Sequence, residues 1–362
     1  MNKESPEILH RLGRDSFFEE EFRKLESEEW QPCRVISQHK NSWVVLGGHG
    51  ELRVTVSGRL RYRTDGTGAY PVVGDWVAAT VQSRERRGII QAILPRKSSF
   101  SRKMVGGPTQ EQVVAANVDT VFLVSGLDGG RNFNTRSIER YLTVAWNSGA
   151  RPVIVLNKAD ICEDVPSRVS EAELVASGVP VHAVSAVTKW GLDKLDTYIN
   201  PGSTIALLGR SGVGKSAIIN ALLGEERQSV RAVREGDRRG RHTTTYRELI
   251  FLPGGGLVID TPGMRELPLW GEEGVIEDTF NDIERLTDYC RFNDCRHDRE
   301  PGCAVREAIQ RGDIDVARFQ SYLRLKRELK YLEARRNDRT RLEEKERWKK
   351  ISQQAKQLKK NK

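Results

Sequence analysis

The spacing of apolar and polar positions divides the chain into stretches of different period. Residues 1 to about 30 are polar apart from Phe17, Phe18, Phe22 and Leu25. Their near-helical spacing predicts one short helix capped by Ser16, docked loosely on the next domain. From Cys33 to about Phe100 short β-rich runs take over: Arg34–Ile36, Ser42–Leu46, Leu52–Val56, Asp75–Val81 and Gly88–Ile93. Five short strands separated by glycine-rich or charged turns predict a small closed barrel of the OB-fold type. A polar linker is expected through Ser98–Lys103 and Gly106–Pro108.

After the linker the period changes again. Val118–Val124, Pro152–Leu156, Val179–Val184, Thr204–Leu208 and Leu257–Asp260 read as buried strands. Thr135–Ala145, about Leu192–Ile199 and Ala217–Leu223 read as helices, the last ended by Gly224. Alternation of this kind predicts a parallel sheet with helices on both faces and ligands at the carboxyl ends of its strands. Helices are expected again at about Val275–Leu286 and Ala304–Arg311, and from about Phe319 the chain turns helical and basic. The expected divisions are an N-terminal extension (1–30), the barrel (31–103), the α/β domain (108–272), a helical domain (273–335) and a basic tail (336–362).

Composition narrows the class. With 38% hydrophobic and 30% charged residues the chain is that of a folded protein rather than a disordered one. No apolar run approaches the ~18 residues of a membrane helix. Met1–Pro6 lacks an apolar signal segment, so a cytoplasmic protein without membrane contact is expected. A net charge of +9 favours a polyanionic partner. On the barrel, Arg59, Arg61 and Arg63 around Tyr62, with Arg84, Arg86 and Arg87, suit single-stranded nucleic acid, though solvated surface arginines would look alike.

The chemistry concentrates in Gly209-Arg210-Ser211-Gly212-Val213-Gly214-Lys215-Ser216, set between a strand and the helix that begins near Ala217. Glycines let backbone N–H groups curl around phosphate oxygens, and the helix N-terminus adds positive potential. Lys215 is placed to reach the β and γ phosphates of a nucleoside triphosphate, and the Ser216 hydroxyl to hold magnesium. Asn157-Lys158-Ala159-Asp160 ends another strand. A carboxylate at Asp160 accepts from both N1–H and the N2 amine of guanine, whereas adenine would leave it unpaired. Lys158 would lie over the base, Asn157 would tie this loop to the phosphate loop, and Ser185-Ala186 would turn a backbone N–H to guanine O6. GTP and GDP are therefore the expected ligands.

Downstream, Asp260-Thr261-Pro262-Gly263 supplies the expected magnesium-side acid, Asp260, and a Gly263 N–H for the γ-phosphate. The loop from about Glu225 to Tyr246 carries Arg238, Arg239 and Arg241, then His242 and Thr243, Thr244 and Thr245. One of these threonines is expected on magnesium. Met264 cannot orient water as a glutamine there would, which makes His242 the candidate for that task. The guanine motif precedes the phosphate loop, the reverse of the usual GTPase order. Rejoining adjacent termini and cutting elsewhere gives that order, a circular permutation. Finally, Cys290, Cys295, His297 and Cys303, spaced C-x4-C-x-H-x5-C, are the ligand set of a closed structural zinc site. Cys33 and Cys162 stand apart and are expected to be inert.

This set of motifs, behind an OB-like barrel, closely resembles the RsgA (YjeQ/YloQ) family from about residue 15 to 330. The resemblance implies a cytoplasmic bacterial GTPase that acts late in small ribosomal subunit maturation. It also implies binding to the 30S subunit through 16S rRNA, subunit-stimulated hydrolysis, and zinc at Cys290, Cys295, His297 and Cys303. A catalytic role for His242 follows, with Met264 matching the family's hydrophobic residue after D-x-x-G. A monomer is expected.

Overall fold

The computed structural model describes residues 6–39, 41–64, 70–103, 111–129, 132–176, 178–224, 247–260 and 276–334. It resolves into two compact units, one drawn from Met1–Arg102 and Gln112–Pro268, the other from Lys103–Glu111 and Leu269–Lys362.

In the first unit β1 (Trp30–Gln38), β2 (Trp43–Gly47), β3 (Gly50–Val56), β4 (Trp76–Gln82) and β5 (Arg87–Ile93) form the barrel. The strand order is β1-β2-β3-β5-β4, and β1 closes the circuit by also pairing β4, with Cys33 opposite Val77. Alternate residues point inward, so Leu52 and Val54 of β3 meet Val35, Val45, Val77 and Ile90 in one core. Cys33 sits in that core. A short helix, α3 (Gly58–Thr64), links β3 toward β4. Arg59, Arg61 and Tyr62 lie on that helix rather than on a loop, and all three are exposed.

The N-terminal expectation needs correction. There are two helices, α1 (Pro6–Arg11) and α2 (Ser16–Arg23), and Asp15 rather than Ser16 caps the second by accepting from Phe18 N at 3.3 Å. Docking is tight, because Leu9, Leu12 and Phe18 are buried against Trp76 and Leu94 of the barrel. Each such side chain contributes about 1.5–3 kcal/mol of burial. Arg34 secures the junction. It is 2% exposed and donates to the carbonyls of Leu12, Gly74 and Asn117. The first part of the expected linker is a strand: β6 (Ser99–Lys103) pairs β7 (Glu111–Ala116) as a two-stranded sheet, and Gly106–Pro108 lies outside the described residues.

The α/β half contains β8 (Thr120–Gly126), β9 (Arg151–Asn157), β10 (Val181–Ala183), β11 (Thr204–Leu208), β12 (Arg247–Phe251) and β13 (Leu257–Asp260). Helices α4 (Thr135–Ser148), α5 (Val165–Val175) and α6 (Lys215–Leu223) connect or follow them, with a 3-10 helix at Leu192–Tyr198. The order β10-β9-β8-β11-β13-β12 is parallel except at β12, which runs antiparallel to β13. The phosphate-loop strand β11 thus stands at the centre, where a GTPase sheet cut at a different loop would also place it. Beyond β13, β12 pairs with β1 through Ser37–Glu248 and Gln38–Arg247, so barrel and α/β sheet form one continuous surface.

In the second unit, α7 (Ile276–Thr279) and α8 (Asn281–Thr287) replace the single helix expected there. Buried Phe280 breaks it, with φ −121°, and its ring meets Tyr322 at 5.6 Å. α9 (Ala304–Arg311) agrees with expectation, and a final helix, α10, runs over 316–334. Arg318 clamps α10 by a bidentate pair with Asp282, at 2.8 and 2.7 Å, and a bond to the Thr279 carbonyl. The basic tail, including Lys345, Arg347, Trp348 and Lys349, lies outside the described residues. None of the described helices is long and apolar enough to cross a membrane.

Candidate functional site

Register brings the motif-bearing strand ends together. β8 pairs Gly126 with Asn157 of β9, β11 pairs Leu208 with Leu123 of β8, and β13 pairs Ile259 with Ala206 of β11. Each parallel strand therefore delivers its last residue to the same edge of the sheet, where Asn157, the glycine loop and Asp260 lie. Asp260 is buried at the end of β13.

The loop from Gly209 to Ser216 wraps from β11 into α6. Val213 is fully buried beneath it, so an apolar side chain anchors a loop whose other face is polar. Gly214 has φ +98°, and a Cβ there would lie 2.1 Å from Asn157 Nδ2. Gly209 is as constrained, since its Cβ would meet the Val124 carbonyl at 2.3 Å. These are backbone cradles that side chains would fill, and they fit a polyphosphate held by N–H groups. Lys215 Nζ donates to the carbonyls of Gly209 and Arg210, at 2.5 and 2.6 Å, and so spans the mouth of the loop. Ser216 and Ala217 open the first turn of α6.

Asn157 joins the two halves of the site. It is buried, its Nδ2 donates to the Val213 carbonyl at 2.9 Å, and its Oδ1 accepts from Ala186 N at 3.0 Å. Both backbone N–H groups of the Ser185-Ala186 pair, one of which is expected to face guanine O6, are engaged, Ala186 by Asn157 Oδ1 and Ser185 by the Trp190 carbonyl at 2.9 Å. Ser185 is fully buried and braces the same loop, its Oγ accepting from Thr188 N. Lys158 is left-handed at φ 68°, and its Nζ pairs with Asp128 Oδ2 at 2.5 Å. Asp160 is exposed and lines a pocket of about 800 Å³ with Ala159, Val165, Pro166, Thr188, Lys189 and Trp190.

The second unit holds a different constellation. Ligand atoms of Cys290, Cys295, His297 and Cys303 all lie within 4.8 Å of one another. Cys290 Sγ is 3.9 Å from Cys303 Sγ, and His297 Nδ1 is 3.6 and 3.4 Å from those two sulfurs. A tetrahedron with Zn–S of about 2.3 Å and Zn–N of about 2.0 Å has edges of about 3.8 and 3.5 Å, so the donor set fits zinc.

Residues 93–270 match the family model described as RsgA GTPase. Over 354 residues the chain is 47% identical to the Small ribosomal subunit biogenesis GTPase RsgA of Opitutus terrae, spanning 95% of this chain and 96% of the relative. The chain belongs to the RsgA GTPase family. A second relative, Small ribosomal subunit biogenesis GTPase RsgA 1 of Oceanobacillus iheyensis, is 44% identical over 90% of this chain and 92% of its own length. YjeQ from Thermotoga maritima superposes with a TM-score of 0.63 at 30% identity, covering 83% of this chain and 98% of that structure. YloQ, a circularly permuted GTPase, shares the fold at a TM-score of 0.58 and 24% identity, over 84% and 96% of the two chains.

Of the family-type residues singled out in the sequence, His242, Thr243, Thr244, Thr245, Gly263 and Met264 lie outside the described residues. Asp128 is a site residue that motif reading misses. It belongs to no motif, yet its position two residues beyond β8 puts it at the ligand-bearing edge. Besides Lys158 it accepts from Asn132 Nδ2 at 2.8 Å. Burial favours protonation of its carboxyl, and the hydrogen bonds from Lys158 and Asn132 override that and hold it below the ordinary carboxylate range.

Proposed function

We propose that this protein binds GTP across the ends of β8, β9, β11 and β13 and hydrolyses it to GDP and phosphate in the service of small ribosomal subunit biogenesis. The observation that carries the reading is Asn157. One side chain bonds the phosphate loop through Val213 and the Ser185-Ala186 loop through the Ala186 N–H, so guanine recognition and phosphate binding share one rigid hinge point.

In this reading Asp160 accepts from guanine N1–H and N2–H, and Lys158, held by Asp128, covers the base. The N–H groups of Gly209 through Lys215 surround the phosphates. The Lys215 ammonium exchanges its two carbonyl partners for β- and γ-phosphate oxygens as charge accumulates on them. Ser216 and one of Thr243, Thr244 and Thr245 would hold magnesium, with Asp260 as the acid on its outer side, and the ion would neutralise phosphate charge. His242 orients the attacking water where Met264 cannot, and the Gly263 N–H meets the γ-phosphate. Cys290, Cys295, His297 and Cys303 would hold a zinc ion that folds the second unit.

The partner proposed is the 30S subunit, contacted through 16S rRNA in the cytoplasm by a monomer. Exposed Arg59, Arg61 and Tyr62 on α3, and the exposed arginines at 84, 86 and 87, support an RNA-facing barrel. β12 directly follows the loop that carries His242 and pairs with barrel strand β1, which offers a path from barrel to switch. The deciding experiment is turnover of GTP and of ATP, alone and with purified 30S or 50S subunits. Stimulation confined to GTP and 30S is expected. GTP turnover indifferent to either subunit would remove the ribosomal partner from the reading.

A further inference from the structure

A second cavity lies at the opposite edge of the α/β sheet. Asn117 and Asp119 precede β8, Arg151 opens β9 and Ser203 precedes β11, so the cavity meets the amino ends of strands whose carboxyl ends face the nucleotide site. Strands of five to seven residues separate the two by about 17–23 Å. The volume is about 250 Å³, and α1, α2 and the barrel close it from the other side.

Charge in this cavity does not balance. Arg14, Arg34, Lys97 and Arg151 line it against Asp15 and Asp119. Lys97 is paired with Asp15, and Asp119 spends one oxygen on the Thr204 N–H at 2.7 Å. Arg34 is fully buried and hydrogen-bonds three carbonyl groups but no carboxylate among the described residues. Its guanidinium pKa is pushed down to about 10 by burial, with Asp119, Asp75 and Asp15 only partly opposing the effect. Arg14 lies over the Phe22 ring at 5.7 Å, and its Nε is buried with no hydrogen-bond partner among the described residues. A buried cation without a bonded anion is costly, and proteins resolve the cost by pairing it.

We propose that this cavity is a binding site for a small tetrahedral oxyanion of the inorganic phosphate class. Arg14 and Arg151 would be its principal donors, and Arg34 would supply the fixed charge behind them. The space of about 250 Å³ admits a phosphate group. Bound there, the anion would join the α1–α2 turn, the barrel and the α/β sheet, three parts that already meet at Arg34.

The test is thermal unfolding of the full chain with GDP and magnesium at saturation, so that the phosphate loop is filled. Inorganic phosphate is titrated against chloride at matched ionic strength. A saturable rise of about 5 °C is expected at a hundredfold excess over the dissociation constant. The Arg14→Gln/Arg151→Gln double variant should lose the rise and keep GDP affinity within twofold. Should that variant not fold, exposed Arg151→Gln alone carries the test and should lose most of the rise. An equal rise in the variant, or with chloride, overturns the site. Dimethyl phosphate acting as well as inorganic phosphate overturns the free anion in favour of a phosphodiester.

Discussion

The phosphate loop and the cysteine–histidine loop hold their shapes by opposite means. Around the first, every constraint comes from the fold. Val213 is sunk in the core, Asn157 bonds its carbonyl from a neighbouring strand, and Val124 O crowds Gly209 from another. The second loop spans Cys290 to Cys303 with no helix or strand inside it. Its internal support is Glu300, whose carboxylate accepts the backbone N–H groups of Arg296, Asp298 and Arg299 at 3.1, 2.9 and 3.0 Å. Those bonds, with its own N–H, bring the Glu300 carboxyl down to about 2. The group is exposed, and its bonds fix a turn rather than a domain. The sheet builds the first site; in the proposed reading a zinc ion builds the second.

The largest consequence concerns the metal. Structural zinc is worth on the order of 10 kcal/mol in small domains, more than a unit of this size is expected to have in reserve. Cys290→Ser should therefore abolish the cooperative unfolding of the second unit and lower bound zinc from one equivalent to none by elemental analysis. GDP affinity should stay within twofold, because the loop belongs to the other compact unit. A metal-free protein that still unfolds with its second transition intact would erase the contrast between the two loops.

Next in size is Gly214→Ala. A methyl 2.1 Å from Asn157 Nδ2, at a φ that L residues rarely adopt, must expel either the loop or the asparagine. Breaking that hinge leaves the Val213 carbonyl and the Ala186 N–H unpaired, each at a cost of about 1–3 kcal/mol. GTP and GDP affinity, measured by fluorescent-nucleotide titration, should fall at least a hundredfold while the melting temperature changes by a few degrees. Full affinity in this variant would mean the loop is not preformed.

Asp160→Asn sharpens the guanine end. In the proposed binding mode Asp160 accepts from two guanine donors, so loss of its charge should weaken GDP by about a hundredfold, at roughly 1.5–3 kcal/mol per charged hydrogen bond. The new amide can donate to O2 of a xanthine base, so xanthosine diphosphate should gain. Unchanged preference between the two bases would remove Asp160 from base recognition.

How much of this is legible in sequence depends on how apolar each element is. Thr204–Leu208 reads to the residue because five buried positions run uninterrupted into a glycine. β3 is legible because its inward Leu52, Val54 and Val56 alternate with exposed Arg53 and Thr55. β6 reads as a linker because Phe100 is its one buried hydrophobic residue among four polar ones. β12 gives no signal of its own, because Leu249 and Ile250 alone carry its burial and pairing on both sides makes it a strand. The break at Phe280 reflects tertiary packing on Tyr322, which no local periodicity reports. At the site, glycine spacing and N-K-x-D point to the residues proposed to face the ligand, while the Asp128–Lys158 pair joins positions 30 apart and has no local signal.

That pair supplies the smallest effect and the finest test of preorganisation. Asp128 touches Lys158 at 2.5 Å and, in the proposed binding mode, reaches the nucleotide only through it. A partly exposed ion pair contributes about 1 kcal/mol, so Asp128→Asn should weaken GDP roughly fivefold and leave the preference for guanine over xanthine unchanged. The pH dependence has a defined sign. Because the folded-state pKa of Asp128 is depressed, the pin is fully present above the ordinary aspartate value near 4 and is lost as pH falls through the lowered native value. Asp128 therefore contributes nothing to the pH dependence of GDP affinity between pH 8 and 5, and wild type should keep its fivefold advantage over Asp128→Asn throughout that range. A hundredfold loss in the variant would instead make Asp128 a direct nucleotide ligand. No loss at all would show that Lys158 is aimed by the left-handed turn of its own backbone, and that the sheet alone prepares the base-binding half as it does the phosphate loop.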